Sequence, residues 1–161
     1  IPFAFAFYKN SYIGRTSIKP TQEERESSVH LKLSVLESVV KDKRIVLVDD
    51  SIVRGTTIAN LIHMLKEAGA KEVHVRISSP PFLHPCYFGT DVPSNDQLIA
   101  ASHSTEEICK MIGADSLGYM QTDYLEGMAG GLPLCKACFD GNYPMEIPDY
   151  TNAEFADIVK C

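Results

Sequence analysis

Two adjacent aspartates, Asp49 and Asp50, follow a short apolar run and precede the segment SIVRGTT, residues 51–57. Like charges side by side repel one another, so a purely structural turn has no need of this pair. Carboxylate oxygens suit sugar hydroxyls or a divalent cation such as magnesium. The glycine and hydroxyl residues that follow are typical of loops that wrap a phosphate with backbone N–H groups. The spacing therefore predicts a phosphate site beside acceptors for sugar hydroxyls or a divalent cation, the alternative being a polar loop with two solvated aspartates.

The residues around this turn predict a strand, a helix and a second strand. Residues 45–48 form a β-branched and leucine run, which is typical of a strand buried on both faces of a parallel sheet. Apolar residues then recur at helical spacing from Ile58 to Leu65, and Gly69 stands where a C-cap glycine belongs. Residues 73–77 alternate as a further strand. We therefore expect an α/β fold, a parallel sheet with flanking helices, and ligand binding at the carboxyl ends of its strands.

The N-terminal part of the chain predicts a strand, a loop and a helix. Residues 3–7 alternate phenylalanine with alanine, which is the period of a short strand, and residues 9–20 are polar and read as a loop. The capping-box pattern at Thr21 and Glu24 predicts the start of a helix. Its apolar face would consist of Val29, Leu33, Leu36 and Val40.

The C-terminal part predicts shorter elements. A second capping box begins at Ser104 and predicts a helix that ends at Gly113, followed by a short strand over residues 116–120. Residues 127–133 contain three glycines and predict a flexible loop. We expect a main domain over residues 1–125 and a C-terminal extension over residues 126–161 that carries a CxxC motif.

Composition excludes several classes of function. The chain has 161 residues, 45% hydrophobic and 22% charged, which is typical of one globular domain. Its net charge of −6 argues against a general nucleic-acid surface. No apolar run approaches the roughly 20 residues of a membrane span, and no secretion signal is visible. Five cysteines, an odd number, favour a reducing compartment, so we expect a cytoplasmic protein without a membrane or nucleic-acid partner.

The stretch VLVDDSIVRGTT resembles the phosphoribosyl pyrophosphate signature of type I phosphoribosyltransferases. More narrowly, it is similar to the glutamine phosphoribosylpyrophosphate amidotransferase family. Other segments resemble that family in the same order, namely KNSYIGRT, ISSPP, HPCYFG, IGADSL and CKACFDGNYP. The resemblance implies a type I phosphoribosyltransferase-like fold that is incomplete, because the N-terminal strands and the glutaminase domain are missing.

The resemblance implies an enzyme of purine biosynthesis. It would transfer ammonia from glutamine to phosphoribosyl pyrophosphate, giving 5-phosphoribosylamine, glutamate and pyrophosphate. The nucleophilic cysteine of the glutaminase domain is missing, so no catalytic residue is expected within the chain, which would be inactive alone. Purine nucleotides would act as feedback inhibitors, and the protein would be a homo-oligomer, by resemblance a tetramer. Two alternatives stay open, another type I phosphoribosyltransferase that takes a free base and a non-catalytic regulator that binds phosphoribosyl pyrophosphate.

The resemblance also assigns roles to individual residues. Asp49 and Asp50 would contact the ribose hydroxyls and Mg²⁺. The loop around the 5-phosphate would consist of Ser51, Ile52, Val53, Arg54, Gly55, Thr56 and Thr57. Lys9, Tyr12 and Arg15 lie in the segment that would close over the pyrophosphate end of the substrate, although a solvated surface loop is the alternative for this segment.

The cysteines form a second group of candidate ligands. Cys135 and Cys138 are a chelating CxxC pair, which by itself is compatible with redox chemistry, zinc or chance. The resemblance implies that Cys86, Cys135 and Cys138 hold a [4Fe–4S] cluster, with a fourth cysteine upstream of this chain. The alternative is a Zn²⁺ site in which His84 joins the three thiolates. Cys109 lies within a predicted helix and is expected to be a buried structural thiol.

Overall fold

The computed structural model of the chain describes residues 1–9, 33–89 and 94–147, with Lys9 described by its backbone alone. Five strands and six α-helices are present in these ranges. In chain order they are β1 Phe7–Lys9, β2 Leu33–Val35, α1 Glu37–Val40, β3 Arg44–Asp49, α2 Thr56–Glu67, β4 Glu72–Ile77, α3 Ile99–Ser102, α4 Thr105–Met111, β5 Ser116–Tyr119, α5 Tyr124–Met128 and α6 Ala137–Asp140. A 3₁₀ turn, Asn95–Gln97, precedes α3. None of the helices in these ranges has the length and apolar character that a bilayer span requires.

The main sheet has three parallel strands in the order β3-β4-β5. Strands β3 and β4 pair over six residues each, from Arg44 opposite Glu72 to Asp49 opposite Ile77. Parallel neighbours need a crossover connection, and α2 provides it. The predicted strand, helix and strand are therefore confirmed, as is the predicted parallel sheet with flanking helices. Because of the crossover, α2 begins directly beyond the carboxyl end of β3.

The hydrophobic core lies between one face of the sheet and two helices. From α2, Ile58, Ile62 and Leu65 are almost fully buried, as helical spacing predicted. They pack with Val73 and Val75 of β4, both of which are 0% exposed. Further members of this main core are Val40, Ile52, Ile77, Ile108 and Ile112.

The predicted helix through Leu33, Leu36 and Val40 is wrong in its middle part. Residues Leu33–Val35 form β2, which pairs antiparallel with β1, and only Glu37–Val40 is helical. Backbone hydrogen bonding to a strand distant in sequence overrides the local helical pattern here. Of the predicted strand over residues 3–7, only Phe7 lies in β1. The capping box at Thr21 and Glu24 lies outside the described residues.

Burial of β3 on both faces was also predicted wrongly. Its burial alternates, because Ile45 and Leu47 pack on the main core whereas Val46 is 42% and Val48 69% exposed. Successive strand residues point to opposite faces, and the described residues bury only the face that packs against α2 and α4. An apolar run alone does not distinguish one buried face from two.

The predicted C-terminal elements are confirmed with one exception. The capping box is formed, since Ser104 Oγ accepts from the Glu107 N–H and Glu107 Oε2 accepts from the Ser104 N–H. Gly69 and Gly113, after α2 and α4, have left-handed φ values of +89° and +74°. The loop predicted over residues 127–133 begins later than expected, because Gly127 lies within α5.

Two valines on neighbouring strands provide a test of this core. We expect Val75→Ala to lower the free energy of unfolding by about 2 kcal/mol, since its side chain is fully buried and truncation leaves a cavity. Val48→Ala removes the same two methyl groups from a largely exposed position and should cost less than about 0.5 kcal/mol. Urea unfolding of both variants measures the difference. Equal losses would contradict the one-sided burial of the sheet.

Candidate functional site

The carboxyl end of β3 brings two carboxylates together. Asp49 is half-buried, and its Oδ1 accepts a hydrogen bond of 3.0 Å from the Asp50 N–H. Burial raises the pKa of Asp49; the hydrogen bond from Asp50 lowers it, and the Asp50 charge raises it further. Asp50 is exposed, and its Oδ1 accepts from Ser51 Oγ at 2.8 Å. The pair therefore presents negative oxygens at the sheet edge, at an electrostatic cost to the fold.

The start of α2 offers donors to an anion. Gly55 is its N-cap with a left-handed φ of +82°, and no side chain accepts a hydrogen bond at this cap. Thr56 and Thr57 form the first helical positions, where both are exposed, and the first turn contains no acidic residue. Unpaired N–H groups and the helix dipole make such an end favourable for phosphate. The threonines are therefore first-turn residues and not the cap.

The loop between β3 and α2 is anchored in two hydrophobic clusters. Ile52 is 2% exposed and belongs to the main core. Val53 packs against the second cluster, which is centred on Phe82 and Leu98. Because the Ile52 side chain is buried, this residue can contact a ligand only through its backbone, whereas Val53 is partly exposed.

Ser78 ties the end of β4 to the aspartate pair. Its N–H donates to the Asp49 carbonyl oxygen at 3.0 Å, and its hydroxyl donates to the same oxygen at 3.2 Å. Sequence reasoning noticed this serine only within the ISSPP segment and gave it no role. Its contacts hold the two strand ends in register beneath the carboxylates.

Residues Gln97 and Ile99 contact the loop and were missed by the sequence analysis. Arg54 donates from Nε to Gln97 Oε1 at 3.0 Å, and its Nη2 donates to the same oxygen. The Ile99 N–H donates to the Val53 carbonyl oxygen at 2.9 Å. A Cβ on Gly55 would lie 3.1 Å from Ile99 Cδ1. No motif signals these residues, which lie more than 40 positions along the chain from the loop.

The predicted cysteine segments are brought together. The Cys138 carbonyl oxygen accepts from the Leu83 N–H at 2.9 Å and from the His84 N–H at 3.1 Å. Tyr143 donates from its hydroxyl to the Pro85 carbonyl oxygen at 2.8 Å. Cys86 and Cys138 both pack against the second cluster. The segment with the CxxC motif therefore folds back on the HPC segment.

The Cys138 thiol responds to its burial and to the two other thiols of this group. Burial, with smaller contributions from Cys86 and Cys135, raises the pKa of Cys138 to about 11. Within residues 1–9, 33–89 and 94–147, no three His, Cys, Asp or Glu side chains converge as ligands of one metal ion. His84 lies against Gly141, where a Cβ would be 3.0 Å from its Nε2.

The remaining predicted residues have simpler outcomes. The Cys109 thiol is half-buried and donates to the Ala114 carbonyl oxygen at 3.3 Å, in keeping with a structural role. Lys9 lies in β1, where its backbone pairs with Leu33, and its side chain is outside the described residues. Tyr12 and Arg15 also lie outside them, so the predicted closing segment stays a prediction.

Comparisons with known proteins agree with these motifs. The family model of the phosphoribosyl transferase domain matches residues 1–78. The amidophosphoribosyltransferase of Bacillus subtilis is 50% identical over 156 residues, covering 91% of this chain and 32% of its own length. That of Pyrococcus horikoshii is 56% identical over 144 residues, covering 89% of this chain and 32% of its own length. The chain thus spans about a third of the curated relatives it matches.

Solved structures give the same result for the fold. Glutamine phosphoribosylpyrophosphate amidotransferase from Bacillus subtilis, complexed with ADP and GMP, superimposes with a TM-score of 0.78 at 49% identity. The match covers 93% of this chain and 34% of that one. A structure described as the allosteric regulatory enzyme of purine biosynthesis has a TM-score of 0.76 at 48% identity, covering 94% and 34%.

Gly55 can be tested against a matched glycine. Gly55→Ala and Gly113→Ala both place a side chain at positive φ, which costs about 1 kcal/mol each. Only the new methyl group at Gly55 crowds Ile99, whereas Gly113 faces open space. We therefore expect Gly55→Ala to lose roughly 0.5 kcal/mol more in urea unfolding, and Ile99→Val to recover that excess. Equal losses for the two glycines would show that Ile99 does not restrict the loop.

Proposed function

Because this chain belongs to the amidophosphoribosyltransferase family, of whose members it spans about a third, we propose that it binds phosphoribosyl pyrophosphate in an enzyme that transfers glutamine-derived ammonia to that substrate. The observation that carries the proposal is the meeting of two carboxylates with an uncapped helix N-terminus within one loop. A phosphorylated sugar needs both features, since its hydroxyls seek acceptors and its phosphate seeks donors.

Different residues of the loop would contribute to binding the 5-phosphate in different ways. Backbone N–H groups between Ser51 and Thr57 would surround the 5-phosphate, and the exposed hydroxyls of Thr56 and Thr57 would add donors. Gly55 allows the close approach of the backbone, because it has no side chain and adopts positive φ. Ile52, which is buried, and Val53, which is partly buried, hold the loop in place by packing against the two clusters.

The aspartate pair would position the ribose. Asp49 and Asp50 can accept hydrogen bonds from the two ring hydroxyls, and their oxygens are also the ligands that Mg²⁺ prefers. The two carboxylates lie at the sheet edge and fit this ion. When Mg²⁺ is bound, it would neutralise charge on the departing pyrophosphate. Binding a cation would also relieve the repulsion between the two neighbouring charges.

The reaction requires no nucleophile from this chain. Ammonia would form a bond to C1 of the ribose as the bond from C1 to the pyrophosphate oxygen breaks, giving 5-phosphoribosylamine and pyrophosphate. The chain's residues contribute by holding the 5-phosphate and the ribose in a fixed orientation, so that C1 faces the incoming ammonia. Glutamine hydrolysis, which supplies the ammonia and releases glutamate, would take place in a separate glutaminase part of the enzyme.

The three cysteines are proposed ligands of a [4Fe–4S] cluster. Support comes from the resemblance, from the fold-back of the CxxC segment and from the contribution of Cys86 and Cys135 to the raised pKa of Cys138. A cluster held by these thiolates would join the segments around residues 84–88 and 135–143. The zinc alternative adds His84 as a fourth ligand within about 2.0–2.3 Å of the ion. In the described residues neither His84 nor the three thiols converge on one metal ion, so the preference for the cluster rests on the resemblance.

Regulation and assembly are proposed from the relatives. The solved relative from Bacillus subtilis carries ADP and GMP, which supports purine nucleotides as feedback ligands of this protein. Assembly as a homo-oligomer, a tetramer by resemblance, remains a prediction. End products of a pathway often inhibit an early step in it, because a high concentration of end product then slows its own synthesis.

The aspartate pair gives a direct test of the proposal. Asp49→Asn combined with Asp50→Asn should weaken binding of phosphoribosyl pyrophosphate with Mg²⁺ by at least about 100-fold, since two charged acceptors are lost. Calorimetry on the chain and pyrophosphate release by the complete enzyme measure the effect. The fold should remain intact, because removing the charges relieves repulsion and the burial cost of Asp49.

Asp42→Asn provides the matched control. Asp42 lies before the opposite end of β3, is exposed and has a φ of +62°, which asparagine adopts readily. Its replacement changes the net charge in the same direction as each test mutation and should leave binding unaltered. Full activity of the double variant would contradict the proposed function.

The cluster proposal has its own test. Enzyme prepared without oxygen should be brown and contain about four iron atoms per chain, as the cluster type requires. Cys135→Ser should lose the colour and the iron, whereas Cys109→Ser, at a thiol that bonds the Ala114 carbonyl oxygen, should keep both. Stoichiometric zinc in a colourless preparation would instead support the site with His84, and metal-free protein of unchanged stability would exclude both.

A further inference from the structure

The phosphate loop is contacted by one short segment that has no role in the proposed function. Three consecutive loop residues, Val53 to Gly55, each meet a residue of the segment 97–99. Gln97 Oε1 receives two donors from Arg54, the Ile99 N–H donates to the Val53 carbonyl oxygen, and the Ile99 side chain faces Gly55. The segment itself is anchored by Leu98, which is 1% exposed in the second cluster.

We propose that Gln97 is a positioning residue for the 5-phosphate, acting by fixing Arg54 so that the loop's backbone N–H groups are held ready for the ligand. This inference rests on the proposed function of the loop. Gln97 would not touch the substrate. Its effect would pass through the guanidinium of Arg54, which it holds by Nε and Nη2 on a single oxygen.

The composition of the loop explains why Arg54 needs a contact that holds it in place, here called the brace. Gly55 has the greatest backbone freedom of any residue type, and Arg54 is exposed with a long side chain. Without a brace, binding of phosphate would have to immobilise both residues, which reduces affinity. Packing of Ile52 and of the partly buried Val53 fixes the first half of the loop, but such packing cannot fix an exposed arginine. A side-chain hydrogen-bond acceptor at position 97 can hold this arginine in place.

The chemistry of the acceptor also matters. An amide oxygen accepts from guanidinium without neutralising its charge, so Arg54 keeps its attraction for anions. Among the residues that the structure describes, Arg54 makes no ion pair. Glutamine therefore combines a fixed geometry with a retained positive charge at the mouth of the loop.

The experiment replaces Gln97 by methionine, which has a similar length and no strong acceptor. In Gln97→Met we expect the dissociation constant for phosphoribosyl pyrophosphate with Mg²⁺ to rise about fivefold. The affinity for ribose 5-phosphate should fall by the same factor, because this ligand contains the 5-phosphate that the loop binds. The affinity for inorganic pyrophosphate, which lacks that group, should not change. In the complete enzyme KM should rise while kcat at saturation stays unchanged.

Three further variants make the result specific. Gln97→Glu keeps an acceptor at the same distance but neutralises the guanidinium of Arg54, so it should hold the arginine in place and still bind the phosphate more weakly than the unmodified protein. Asn95→Ala, an exposed position in the same 3₁₀ turn, should bind like the unmodified protein. In an Arg54→Met background, Gln97→Met should have no further effect, since the brace acts through the arginine.

The outcomes separate this inference from the function on which it rests. Failure of the unmodified protein to bind phosphoribosyl pyrophosphate would remove the proposed function. Normal binding by Gln97→Met, or an equal loss in the Arg54→Met background, would overturn the brace alone. If Gln97→Met also bound pyrophosphate more weakly, the variant would have lost structure generally, and this outcome would contradict the proposal. Urea unfolding would reveal such a loss of structure.

Discussion

The parallel pairing of β3 with β4 is the constraint on which the rest of this structure depends. Two parallel neighbours cannot be joined by a tight turn, so the chain must cross from the end of one strand to the start of the other. Helix α2 makes that crossing and is held to the sheet by Ile58, Ile62 and Leu65. As a consequence, the N-terminal N–H groups of α2 and the carboxylates that end β3 share one loop, which places donors for a phosphate beside acceptors for hydroxyls or a cation.

The loop owes its shape to packing on both of its sides. Ile52 enters the main core, whereas Val53 enters the second cluster together with Cys86 and Cys138. The cysteine segments therefore support the phosphate loop from below through shared apolar contacts. The two candidate sites therefore share contacts with one hydrophobic cluster.

The fold tolerates an electrostatic cost where the ligand is expected. Burial and the neighbouring charge of Asp50 both disfavour the ionised form of Asp49 and raise its pKa. A structural turn would have no reason to retain such a pair, whereas a site that binds hydroxyls or a cation has one.

The sequence alone determined the parts of this protein that depend on local pattern, and tertiary structure decided the others. Helical spacing predicted α2 and the capping box predicted α4, because each signal lies within a few residues. Phosphate binding by the loop between β3 and α2 stays a prediction. The strand Leu33–Val35 escaped prediction, since its pairing with β1 outweighs a helical pattern. The one-sided burial of β3 and the hydrogen bond from Arg54 to Gln97 were not predicted, for the same reason. Both depend on which distant segments pack together, and neither an apolar run nor a lone glutamine carries that information.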